Sequence, residues 1–193
     1  MAISYPLSLP LAPSSYTLER TSVNIVNISP FTLQQQIIRG IGEGWTLKLG
    51  FPAVVMPSIT VAVGGFLSSL RGMYGTFYFG PPASRLSYTG NGAVTLTTIN
   101  NDIRDNITCN MNGTTLSVGT FVQIGSQLCQ VVSSTGGNTF DIFPFLRASY
   151  ANGTTVNYTS PVGIFRQKNA TGAASTFNLD HTDSFSLEAI ESI

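Results

Sequence analysis

Charge is scarce in this sequence. Only 9% of its 193 residues are Asp, Glu, Lys or Arg, nine acidic against nine basic, where an ordinary soluble domain carries roughly 25%. With no basic excess, nothing drives counterion release from a nucleic acid backbone, which argues against DNA binding as an activity. Long apolar runs are missing too. The longest candidate, Phe51 to Leu70, is broken by Pro52, Pro57, Gly64 and Gly65, short of the ~18 uninterrupted residues of a membrane span. The opening MAISYPLSLPLAPSS lacks the basic start of a secretory signal. Cysteine occurs twice, at Cys109 and Cys129, which makes no disulfide framework. In a chain without a signal, both are expected to be reduced and buried as small hydrophobes.

Signatures of catalysis are also lacking. There is no P-loop, dinucleotide fingerprint, HExxH or GxSxG frame. The single histidine, His181, stands in Asp180-His181-Thr182-Asp183. One imidazole beside two carboxylates is too small a ligand set for a metal, and the segment reads as a polar turn. No catalytic, cofactor-binding or metal-binding residue is therefore assigned. A glycosidase would need two acids on convergent strands, and the acids here are scattered. Six Asn-X-Ser/Thr triplets, at Asn27, Asn106, Asn112, Asn152, Asn157 and Asn169, follow from the abundance of Asn and Thr.

What remains is 42% hydrophobic residues, enough for a core, under a neutral surface rich in hydroxyls and amides. So few charges protect poorly against association, which suggests a surface covered by neighbouring copies.

The first dozen residues carry Pro6, Pro10 and Pro13 and read as an extended arm, free or pinned by a partner. Val23 and Ile25 alternate with Asn24. Phe31, Leu33, Gln35 and Ile37 then alternate with polar partners, the pattern of a half-buried strand. Gly40, Gly42 and Gly44 mark a turn into a strand with Trp45, Leu47 and Leu49 on one face, so these two strands are expected to pair as a hairpin. Pro57-Ser58 opens a helix with Ile59, Val63, Phe66, Leu67 and Leu70 on one stripe. Gly64-Gly65 weaken it by about 1 kcal/mol each, and Gly72 is expected to end it in the left-handed conformation. Thr76–Gly80, TFYFG, reads as a short buried strand.

From Gly90 to Pro161 the texture changes to short β-like runs, VTLTTI, TTLSVG, FVQIG, LCQVV, TFDIF and TVNYT, separated by Asn/Gly turns. Spacings of roughly 8–12 residues indicate a small barrel or sandwich. After Pro161, VGIFRQK and SFSLEAI return to longer strands, and the last is expected to pair with strands before residue 80. The expected class is mainly β: a β-sandwich or split barrel with one short helix, formed by residues 1–82 and 161–193 and interrupted by a small β-barrel at 83–160.

One succession is distinctive. A Trp-bearing strand is followed by a helix ending in Leu-Arg-Gly, GTFYFG with prolines, FVQIGSQLCQVV, IFPFLRA, SPVGIFR and FSLEAIES. Over nearly its whole length the chain resembles the distal tail protein of long-tailed bacteriophages in a compact form. The resemblance implies a belt domain that forms a sixfold ring at the end of the tail tube, and an outward OB-like barrel. It implies a homohexamer placed at the distal end of the virion tail and assembled in the bacterial cytoplasm. Its partners would be the tube protein, the tip or hub protein, the tape measure protein and fibres. DNA would only pass through, and no membrane is involved. Gly119-Thr120 stands where relatives often carry a Gly-Asp pair, a departure that argues against a role for an acid there.

Candidate contact residues follow. Arg71, Met73 and Tyr74, in the loop after the helix, are candidates for the ring interface. Phe143, Phe145 and Arg147 are candidates for a ligand face on the barrel, the competing possibility being a barrel core that ends in a charged loop. Trp45, Phe77 and Phe79 read as core. The alternative function is a carbohydrate-binding tail module, since OB-like barrels bind oligosaccharides.

Overall fold

A computed structural model describes residues 3–40, 42–53, 56–99, 104–134, 137–176 and 183–192. The chain is mainly β, with one α-helix among the described residues. Along it run Ser15–Thr21 (β1), Asn24–Ile28 (β2), Gln35–Arg39 (β3) and Gly44–Gly50 (β4), then the helix Pro57–Ser69 (α1) and Thr76–Phe79 (β5). Next come Tyr88–Thr89 (β6), Thr95–Ile99 (β7), Asn106–Asn110 (β8), Thr115–Leu116 (β9), Phe121–Ile124 (β10), Gln127–Ser134 (β11), Thr139–Phe143 (β12) and Val156–Asn157 (β13). Gly163–Gln167 (β14), Ala173–Thr176 (β15) and Ser184–Glu191 (β16) complete it.

The first sheet is antiparallel, in the order β1-β4-β16-β14-β5, with β15 joined to β16. Its strands therefore come from both ends of the sequence. The last strand pairs with the Trp45 strand, Leu187 opposite Leu49 and Ala189 opposite Leu47. This is the pairing that the alternation in SFSLEAI predicts. Helix α1 buries Val63, Phe66 and Leu67 against the sheet, with Leu70 just past its end. Phe66 meets Phe77 edge-on at 5.9 Å, and Phe79 meets Phe165 likewise at 6.0 Å. Gly64 and Gly65 have open space where a side chain would stand, so close packing does not require them. Arg71 takes positive φ at 49° as well as Gly72 at 66°, so the left-handed stop begins one residue before the expected glycine.

The second sheet, β13-β10-β11-β12-β8-β7, is antiparallel and nearly closes on itself. Thr95 bridges Thr155, and the Val156 amide donates to the Val94 carbonyl at 2.9 Å. Its interior holds Leu96, Ile107, Val122, Ile124, Phe140, Ile142 and both cysteines. Burial pushes the Cys109 thiol up to about 12 and raises that of Cys129 well above its usual value. The two are free thiols. The small β6–β9 ribbon touches this core, with Tyr88 edge-on to Tyr158 at 4.8 Å.

Two expectations need correction. Phe31 and Leu33 lie in the turn between β2 and β3, not in a strand, and β3 is exposed along its length. It pairs with β2, Ile25 opposite Ile38 and Val26 opposite Ile37, while the Trp45 strand pairs with β1 and β16. The alternation in this region marks a hairpin of its own. The N-terminal arm is pinned by its own chain. The Leu7 amide donates to the Thr76 carbonyl at 2.8 Å, the Tyr78 amide donates to the Leu7 carbonyl at 2.9 Å, and the Tyr5 hydroxyl donates to the Ser69 carbonyl at 2.5 Å.

Candidate functional site: the junction of the two sheets

The two sheets meet around Trp45. Its position on the inward face of β4 leaves it 3% exposed. Its indole Nε1 donates to the Leu128 carbonyl of β11 at 2.8 Å. Phe143 meets the ring edge-on at 5.0 Å and Phe121 lies at 5.7 Å. Leu128 itself packs into the first sheet's core. A hydrogen-bonded, aromatic-lined contact of this kind resists sliding, because the indole N–H would be left unpaired.

Beside the tryptophan lies a group of ionisable side chains that includes two buried carboxyls. Glu191 follows Phe185, Leu187 and Ala189 at the next inward position of β16 and is only 8% exposed. Neither of its carboxylate oxygens has a partner in hydrogen-bonding geometry. Burial pushes its carboxyl up to about 7, against the opposing pull of the Arg147 guanidinium and the nearby Leu128 and Trp45 backbone groups. Glu43, 5% exposed, takes Arg39 through Oε1 at 2.8 and 2.9 Å, while its Oε2 is unpaired. Arg147 donates from Nη2 to the Glu43 carbonyl. A side chain added at Gly44 would stand in ordinary contact with that Nη2, at 3.4 Å, and with Glu191 Oε2, at 3.7 Å. Arg39 also reaches Asp105 of the second sheet's connection. Glu43, Gly44, Trp45, Arg147 and Glu191 line a cavity of about 230 Å³ with Thr21, Thr46 and Ile190.

The candidate barrel residues fall at this junction. Phe143 packs on Trp45, with the Arg20 guanidinium 5.9 Å from its ring centre. Arg147 lies over Phe145 at 4.8 Å. Gln127 clamps their loop: its Nε2 donates to the Phe145 carbonyl at 2.8 Å and its Oε1 accepts from the Arg147 amide at 3.1 Å. All three are partly covered by the protein itself. Arg71, Met73 and Tyr74 lie elsewhere, exposed on the turn after α1, where Tyr5 meets Tyr74 edge-on at 5.9 Å. His181 and Asp180 lie outside the described residues.

Sequence reading missed Glu43 and Glu191. For Glu191 a signal existed, because its parity places a carboxylate on the buried face of the last strand. Among the described residues, no group of three or more His, Cys, Asp or Glu side chains is placed to hold a metal ion. The chemistry the junction offers is ion pairing and proton uptake. No helix among the described residues is long and apolar enough to cross a membrane. Neither a known protein family nor a characterised protein matches the sequence.

Proposed function

We propose that this chain is a structural ring subunit at the end of a phage tail, a distal tail protein joining the tube to the tip or hub and leaving a channel for DNA. The observation that carries this reading is the β2–β3 hairpin. From Thr21 to Ile38 it contains no charged residue. Its paired residues alternate between faces, so Ile25 and Ile38 lie on one side and Val26 and Ile37 on the other. All four are about half exposed or more, and Phe31 at the turn is 95% exposed. A two-stranded ribbon apolar on both faces is marginal alone and gains stability against neighbours.

The resemblance along the chain supplies the kind of neighbour, other copies in a sixfold ring with tube and tip proteins above and below. The balanced, sparse charge suits a surface largely covered by such contacts. The glycan-binding alternative draws less support, because Trp45 and Arg20 already occupy Phe143 and Arg147 occupies Phe145. Electron microscopy of the purified chain and of tail ends tests the reading: closed rings support it. A glycan-array signal from a particle that stays monomeric even in the tail would replace it with the alternative.

A further inference from the structure

We infer that the proton on Glu191 governs how firmly the β2–β3 hairpin is held to the rest of the chain, acting through Arg147 and Glu43. The inference stands apart from the ring reading, since every contact in it lies within one chain.

The hairpin forms a two-stranded sheet of its own, so its attachment rests on its base. There Arg39, the last residue of β3, donates from Nε to Glu43 Oε1 at 2.9 Å and pairs through Nη1 with Asp105. Glu43 lies in the connection from β3 to β4 and is itself held from the loop after β12, because Arg147 donates from Nη2 to its carbonyl. Arg147 is anchored in turn, its amide donating to Gln127 Oε1 at 3.1 Å. Two arginines thus tie the hairpin base to the second sheet, Arg39 through Asp105 and Arg147 through Glu43.

Arg147 stands between two acceptors. The position that a Gly44 side chain would take lies 3.4 Å from its Nη2 and 3.7 Å from Glu191 Oε2. Its Nε is buried without a partner, and the cavity of about 230 Å³ adjoins the guanidinium and both glutamates. A rotation of the side chain exchanges one acceptor for the other without moving the backbone. Charge decides which acceptor holds it. Beside a neutral Glu191 carboxyl, the guanidinium stays on the Glu43 carbonyl. A Glu191 carboxylate draws it into an ion pair, whose hydrogen bonds are roughly twice as strong as neutral ones and little screened in a buried site. Arg147 then leaves the Glu43 carbonyl, and the hairpin base keeps only its Arg39 contacts.

The groups around Glu191 set where this exchange occurs. From β11 it faces Cys129, from the loop after β12 Arg147 and Tyr150, and from the β3–β4 connection Glu43 with its partner Arg39. On β14 Phe165 stands opposite, and the neighbouring Arg166 donates to Ser192 Oγ. Burial raises the Cys129 thiol and the Tyr150 phenol above their usual values, so neither ionises near neutrality. Burial also lifts the Glu191 carboxyl to about 7 against the pull of Arg147, which puts the exchange there.

Hydrogen exchange read by mass spectrometry on the dilute chain tests the link. After correction for intrinsic rates, protection of the hairpin amides in β2 and β3 should fall about tenfold between about pH 5.5 and about pH 8.5, the size of one lost hydrogen bond to a charged group. Glu191→Gln should keep the high protection at both pH values. Arg147→Met, with no donor for either acceptor, should show the low protection at both. Trp45, the single tryptophan, lines the same cavity. Its fluorescence should follow the same titration in the native chain and stay flat in Glu191→Gln, a second reading should Arg147→Met not fold. Hairpin protection that ignores pH, or that changes equally in Glu191→Gln, would overturn the inference. So would a loss shared in equal measure by the helix and every strand, since that reports weakening of the whole fold and not release of the hairpin.

Discussion

Replacing Glu191 by Gln should stabilise the protein above neutrality and remove the fall in stability expected of the native chain between about pH 4.5 and 7. The carboxyl lies on the buried face of β16, where burial outweighs the Arg147 guanidinium and the Leu128 and Trp45 backbone groups and lifts it from 4.5 to about 7. Across that interval the folded chain holds a proton that the unfolded chain has released. Folding therefore binds protons, and stability falls as pH rises through the window, then levels. Each pH unit is worth about 1.4 kcal/mol, so the whole interval amounts to about 3 kcal/mol. Gln keeps the shape and has no charge to bury. For a chain of this length about 3 kcal/mol corresponds to a melting shift of roughly 6–12 °C. Asp141, held below its ordinary value by hydrogen bonds from Ser133 and Asn106, titrates beneath the window and leaves the comparison untouched. Urea unfolding of both proteins from pH 4.5 to 8 reads the difference directly. Parallel stability curves, or a Gln variant weaker than the native chain at pH 8, would refute the reasoning. Parallel curves would mean that the surroundings just compensate the buried charge, and a weaker Gln variant that they more than compensate it.

Other expectations concern the junction and the second core. Alanine at Trp45 should cost roughly 3–5 kcal/mol, since it empties a core site and leaves the Leu128 carbonyl unpaired; chemical denaturation measures it, and a loss below about 1 kcal/mol would contradict the packing described here. Cys109 and Cys129 should resist a thiol reagent in the folded protein and both react after denaturation without reductant, and a missing pair of thiols would show a disulfide instead.

Much of the fold was legible because its strands bury one face in their own chain. Phe185, Leu187 and Ala189, or Phe77 and Phe79, alternate inward with polar partners, and the structure buries them accordingly. The helix stripe held because four of its five apolar residues reach the core. The hairpin was misread for a related reason. Val26, Ile28 and Ile37 carry the same period as a half-buried strand, and periodicity does not distinguish a face covered by the chain's own core from one left to solvent or a neighbour. β8 escaped notice because Asn106 and Asn110 flank it, although Ile107 and Cys109 alternate. β15, with only Ala173 and Ala174 as apolar residues, carries almost no signal. At the junction, Trp45 was recognisable from its strand. Its partners were not, because Leu128, Phe143 and Arg147 come from distant stretches that only the tertiary fold brings together.

The central claim is that copies of this chain close into a ring at the end of a phage tail. A three-dimensional cryo-EM reconstruction of tail ends carrying this protein tests it most directly. The predicted result is a closed sixfold ring with an open bore, the apolar turn and faces of the β2–β3 hairpin lying at each subunit boundary. A trimeric or monomeric arrangement at that position, or a hairpin left in solvent between separated subunits, would contradict it.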